Sequence, residues 1–155
     1  MRRSDREIKE LAEIVQMMER CEVCRLAFHD GEYPYIVPLN YGVQCENGRV
    51  TLYFHGAAEG KKCELMKKDN HVAFEMDGAH RLVVKPEACS STIMYESVVG
   101  RGRLESVPEE EKEQALRILM RHYCKEEFSL SKTAVSKTAV WKLTVEEVTG
   151  KAHRT

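Results

Sequence analysis

The sequence predicts a mainly β protein, with a mostly antiparallel sheet that closes into a barrel or folds into a sandwich. Three features carry that prediction. Apolar residues recur at every second position in short runs, the pattern of half-buried strands. Two-residue turn signals, Asp30-Gly31 and Asn47-Gly48, join successive runs as hairpins. Helical spacing enters at few points, whereas a doubly wound parallel sheet needs a helix after nearly every strand.

Residues 5 to 20 are expected to form the first helix. Ile8, Leu11, Ala12, Val15 and Met18 recur at helical spacing, and Ser4 with Glu7 can form a capping box. Val23 to His29 reads as a strand. Tyr35, Val37, Leu39, Tyr41 and Val43 alternate strictly and predict one strand paired back onto it. Pro38 has no N–H to donate, which puts that point at an edge or a bulge. Arg49 to His55 is the next strand, and a short helix follows to about Asp69, burying Leu65 and Met66. His71 to Met76 is again a strand, Asp77-Gly78 turns the chain, and Arg81 to Lys85 is a further short strand. A loop then leads to Ile93 to Glu105, a long strand with Gly100 and Gly102 as bend points. Ser106 is placed to cap the next helix; Pro108 and Glu109 to Glu111 suit its first turn, and Leu116, Leu119, Met120 and Tyr123 share one buried face. Phe128 to Ser136 is expected to be irregular. Ala139 to Val148 is the last strand, with Trp141, Leu143 and Val145 on one side.

The 155 residues fit one domain, 1–155, and 43% hydrophobic with 32% charged residues is a globular rather than a disordered composition. A net charge of -1 supplies no basic field for nucleic acid or an anionic membrane, and no apolar run is long enough to span a bilayer. The first residues lack the apolar core of a signal peptide, so the expected location is cytoplasmic. Cys21 and Cys24 have the spacing of half a zinc or redox motif, but no second pair stands at ligand spacing. Reduced, buried thiols are therefore expected, and no metal site. His29, His71, His80, His122 and His153 also lack ligand spacing, and solvated or capping roles are expected of them.

The chemistry concentrates in Leu52 to Lys62. An apolar alternation stops at His55, then Gly56, Ala57, Ala58 and Gly60 lead into Lys61 and Lys62 at the start of a helix. Lysine in a first helical turn opposes the partial positive charge already there. A phosphate removes the conflict, because free N–H groups and ammonium groups both favour an anion, and glycine lets the backbone approach it. The sequence shows no acidic partner built for either lysine. A solvated turn with both lysines in water is the other reading of the same residues.

Four stretches in order, Tyr35 to Gly42, Tyr53 to Lys62, Tyr95 to Gly102 and Leu143 to Lys151, resemble the flavin-binding split-barrel family of the pyridoxamine 5'-phosphate oxidase type. Within that family the chain is most similar to the nitroimidazole-resistance flavoproteins. The resemblance implies a six-stranded antiparallel split β-barrel with peripheral helices, which binds flavin mononucleotide (FMN) at the interface of a homodimer. It implies that Lys61 and Lys62 hold the phosphate, with Gly60 also at the cofactor, and that Pro38, Leu39, Asn40 and Tyr41 line the isoalloxazine ring. His55, Gly56 and Ala57 would border the ring and ribityl chain. Tyr95, Glu96, Ser97 and Val98 match a strand used near the cofactor, from the same subunit or across the dimer. The arginine-rich C-terminal segment with which pyridoxamine phosphate oxidases grip their substrate is not found; Lys151 to Thr155 is too short for it.

Taken singly, these residues keep simpler readings. Asn40 can meet a flavin edge with an acceptor and two donors, or be a bulge residue beside Pro38. His55 falls on the opposite strand face from Leu52 and Phe54. It can pass a proton to or from reduced flavin as the catalytic residue, or end its strand half in water. Trp141 is core or a stacking partner, and Tyr95 and Ser97 share one face as cofactor contacts or ladder residues. The expected function is a homodimeric FMN oxidoreductase that reduces nitroaromatic, nitroimidazole-like or other electron-poor small molecules. The chain has no glycine-rich dinucleotide fingerprint, so a nicotinamide would bind transiently, or a partner protein would supply the electrons. The alternatives are a flavin or haem binding or sensing protein without turnover, and a barrel whose lysine loop meets only solvent anions.

Overall fold

A computed structural model of the chain describes residues 3–126 and 128–154. Met1 and Thr155, the ends of the expected 1–155 domain, lie outside them. Eight strands and four α-helices are formed among the described residues: β1 (Glu7–Ile8), α1 (Leu11–Arg20), β2 (Cys24–Phe28), β3 (Tyr35–Leu39), β4 (Tyr41–Glu46), β5 (Arg49–Gly56), α2 (Lys61–Lys68), β6 (His71–Val83), β7 (Thr92–Ser106), α3 (Lys112–Tyr123), α4 (Lys132–Lys137) and β8 (Ala139–His153). The sheet runs in the order β3-β2-β6-β7-β8-β5-β4, with β1 added on β8, and every pairing is antiparallel.

β3 and β4 stand at opposite ends of this order, yet only Asn40 separates them in the chain. The sheet must therefore curl until its ends meet at Asn40, and it does so without closing the ladder. Inside the curl lie Leu26, Phe28, Leu52, Phe54, Phe74, Met76 and Leu143, all at most 2% exposed. A second cluster, Val107, Ala115, Leu116, Val135 and Val140, forms under α3 and α4. Helix α3 lies almost on the backbone of β4: a Cβ added at Gly42 would sit 2.5 Å from the Leu119 Cα. None of the described helices is long and apolar enough to cross a membrane.

The structure corrects several expected elements. The single strand over 35–43 is two, because the chain crosses the split at Asn40; Pro38 does lie on an edge strand, opposite Arg25. The helix expected over 5 to 20 starts at Leu11. Ser4–Arg6 make a 3-10 turn, and Glu7–Ile8 pair with Lys151 and Gly150, so the Ser4–Glu7 box does not form. Asp77-Gly78 is not a reversal. β6 runs through it with a bulge between Gly78 and Arg81, where Ala79 takes φ 53°. Ser106 ends β7 rather than capping α3, and Lys132–Lys137 is helical where an irregular segment was expected, because Val135 buries into the second cluster. The implied six strands are eight, through the division at Asn40 and the short β1. The Asn47-Gly48 hairpin and the shift at Arg101/Gly102 fall where the sequence puts them.

Candidate functional site

The end of β5 and the start of α2 form one corner of the barrel. Pairing of Gly56 with Ala139 brings β8 and Trp141 beside the glycine. A Cβ at Gly56 would meet the Lys62 Nζ at 3.2 Å and the Trp141 ring at 3.4 Å. Lys62 Nζ lies 4.8 Å from the centre of the Trp141 ring, a cation–π contact, and among the described residues it has no carboxylate partner. Leu39, Phe54, Met66 and Trp141 line a small apolar pocket with Lys62 at its side. Trp141 itself is 4% exposed, so it belongs to the core and presents one face to the lysine.

Gly60 caps α2 in the left-handed region at φ 109°, with no atom within 4 Å of where a Cβ would be. The first intrahelical bonds run from the Cys63 and Glu64 N–H groups to the Gly60 carbonyl, and no side chain caps the helix. The N–H groups of Lys61 and Lys62 thus precede the helical ladder. Ala57, on the preceding loop, accepts the Cys63 thiol at 3.6 Å and tethers the loop to the helix. His55 is exposed on the outer face of β5, opposite buried Phe54, as its position in the strand predicts. Pro38 and Asn40 are exposed at the split, with Leu39 half-buried between them.

The expectation that both lysines lack an acidic partner fails at Lys61. Its ammonium pairs with the Asp30 carboxylate and lies 5.1 Å from the centre of the Tyr35 ring. Asp30 follows β2 on the turn to β3, beside Gly31 at φ 72°. The sequence marks Asp30 only as a turn residue, and nothing local shows that the turn meets α2.

Three other residues expected near the cofactor have side chains engaged within the protein. Tyr41 is fully buried; its hydroxyl donates to the Met18 carbonyl at 2.5 Å, and its ring packs 4.5 Å from that of His122. Its backbone N–H donates to the Tyr123 hydroxyl at 3.0 Å. Val98 is also fully buried. Glu96 is 7% exposed and accepts from Arg20 at 2.7 Å and from Arg154 at 2.9 Å, while Arg154 also donates to Glu13 at 2.6 Å. Burial pushes the Glu96 carboxyl up, but the two guanidinium groups outweigh it and hold the group below its usual range. Tyr95 and Ser97 do share the other face of β7, both half-buried. The Lys151 ammonium, 5.6 Å from the centre of the Tyr95 ring, holds the Tyr95 phenol below its ordinary value.

The register separates the two groups of candidates. His55 pairs with Val140 of β8, whereas Val98 pairs with Gly150. At about 3.3 Å per residue, roughly 30 Å of strand lies between them. One chain therefore brings together Leu39, Gly56, Gly60 and Lys62 but not Tyr95 to Val98. Cys21 and Cys24 are buried free thiols, and burial raises the Cys21 thiol to about 11. His122 Nε2 lies 2.8 Å from the Cys21 carbonyl, a structural contact.

Residues 10–152 match the family model described as pyridoxamine 5'-phosphate oxidase. A candidate 5-nitroimidazole antibiotic resistance protein from Bacteroides thetaiotaomicron VPI-5482 has a similar structure, with TM-score 0.81 and 36% identity over 94% of this chain and 86% of that one. The FAD and heme binding protein from Mycobacterium smegmatis has TM-score 0.81 at 15% identity, over 97% of this chain and 74% of its own. The flavocytochrome Anf3 from Azotobacter vinelandii has TM-score 0.80 at 16% identity, over 100% and 72%. The last two likenesses concern the fold alone. A search of the curated proteins found no match.

Proposed function

The chain belongs to the pyridoxamine 5'-phosphate oxidase family, and on that premise we propose that it is an FMN protein that reduces electron-poor small molecules, nitroaromatic compounds among them. The observation that carries the reading is the start of α2. Two N–H groups ahead of the helical ladder follow Gly60, where nothing lies within 4 Å of a Cβ position, and the Lys62 ammonium, without a carboxylate among the described residues, lies beside Gly56. That donor set fits a phosphate. Leu39, Asn40 and Gly56 offer the apolar edge and the polar group that a ring above it needs. Bound flavin supplies electron transfer; the residues of this chain bind it, orient it and move a proton. His55, exposed at the end of β5 with no side-chain hydrogen bond among the described residues, is free to be that proton donor.

The 36% identical Bacteroides protein supports a nitro compound as the substrate class. Purified protein is expected to be yellow and to release FMN on denaturation. A reduced nicotinamide cofactor, or a protein reductant in its place, should bleach the colour, and a nitroimidazole should restore it under anaerobic conditions. Colourless protein that takes up no added FMN overturns the flavin reading. A bleached protein that the nitro compound leaves bleached removes the substrate class and leaves a flavin-binding protein.

A further inference from the structure

We propose that Asp30 is a built-in competitor of the flavin phosphate: it holds Lys61 in the free protein and must give it up, or share it, when the phosphate binds. The proposal rests on the FMN reading above and assigns a role in cofactor affinity to a residue outside the glycine-lysine segment. Lys61 and Lys62 are neighbours at one helix start but differ in their surroundings. The Lys61 ammonium is paired with the Asp30 carboxylate over the Tyr35 ring, whereas Lys62 lies on Trp141 with no carboxylate among the described residues. The β2–β3 turn, with Gly31 at φ 72°, fixes where Asp30 stands, so the pair reaches across the barrel from one hairpin to α2.

The pair has two opposite consequences. In the free protein it offsets the repulsion between two adjacent ammonium groups and the positive end of α2. Toward a phosphate monoester, which carries close to two negative charges at neutral pH, the same carboxylate is a like charge beside the ligand. Half of Lys61 remains in water, 51% of its side chain, so the pair is weak enough to open. Asp30 thus lowers phosphate affinity without touching the flavin ring, and Lys62 becomes the main ammonium for the phosphate.

Riboflavin carries the same ring without a phosphate, so the two flavins separate this role from a structural one. The experiment is fluorescence titration of FMN and of riboflavin into flavin-free protein, wild type against Asp30→Asn. The expected result is FMN binding about tenfold tighter in Asp30→Asn with riboflavin binding unchanged. Lys61→Ala should weaken FMN binding much more in the Asp30→Asn background than in the wild type, because only there is Lys61 free. An unchanged ratio of FMN to riboflavin affinity in Asp30→Asn, whether both stay, rise or fall together, overturns the proposal and leaves the FMN reading intact. If neither flavin binds the wild type, the FMN reading fails first.

Discussion

Alternation along a strand decides what His55 can do. Phe54 is fully buried, so its neighbour points outward, on the face of β5 away from the core. Gly56 and Ala57 follow it, and neither carries bulk that would hold a flat ring away. A free imidazole there can deliver a proton as electrons leave reduced flavin. General acid catalysis of this kind is typically worth about 10²- to 10⁴-fold. His55→Ala is therefore expected to slow reduction of a nitro substrate by about that factor at saturating FMN, while FMN binding changes little. Rates restored simply by adding more FMN would make His55 a wall of the site and not its acid.

At the scale of elements, the Glu96 cluster shows what the sequence could and could not disclose. The stretch Tyr95 to Val98 is correctly placed on a long strand, but its alternate side chains have opposite fates. Glu96 ties β7 to Arg20 of α1 and Arg154 beyond β8, two partners distant in sequence. Its folded-state pKa is depressed, so the carboxylate adds stability in full above its unfolded value, near 4.5, and that stability is lost as pH falls through the lower folded value. Glu96→Gln should lower the Tm at neutral pH, and the gap to wild type should narrow toward pH 3; a constant gap would assign the loss to packing. Where the signal is local the sequence suffices: Asn47-Gly48 makes its hairpin, and Lys61 to Lys68 its helix. The failures share a physical cause, which is pairing with distant chain. Glu7–Ile8 leaves a helical pattern to join β8, Asn40 breaks an unbroken alternation because the sheet curls, and Asp30 meets Lys61 across the barrel. Gly42 gives no sign in sequence that Leu119 rests on it.

For the whole molecule, the same separation of Tyr95–Val98 from His55 becomes an argument about assembly. If both groups serve one flavin, as the family resemblance implies, a single chain cannot supply them, with roughly 30 Å of β8 between their partners. A second copy related by a two-fold axis can, since such an interface presents each patch to the other. The surface gives such a copy something to cover. Ile36 is 58% and Val99 50% exposed on the outer faces of β3 and β7, and Leu82 at 64% and Ile93 at 53% pair across the β6–β7 ribbon. The ribbon is two-stranded beyond the bulge, a form that is marginal in water unless something packs on it. The expected state in solution is thus a homodimer with flavin bound. Sedimentation equilibrium checks the mass, and a Ser97→Trp variant checks the shared site. Its indole, set on the outer face of β7 and away from Lys62 of its own chain, should quench the fluorescence of bound FMN in the dimer. A flavin-loaded particle at the 17.8 kDa mass of one chain would confine the site to one subunit and remove Tyr95 to Val98 from it.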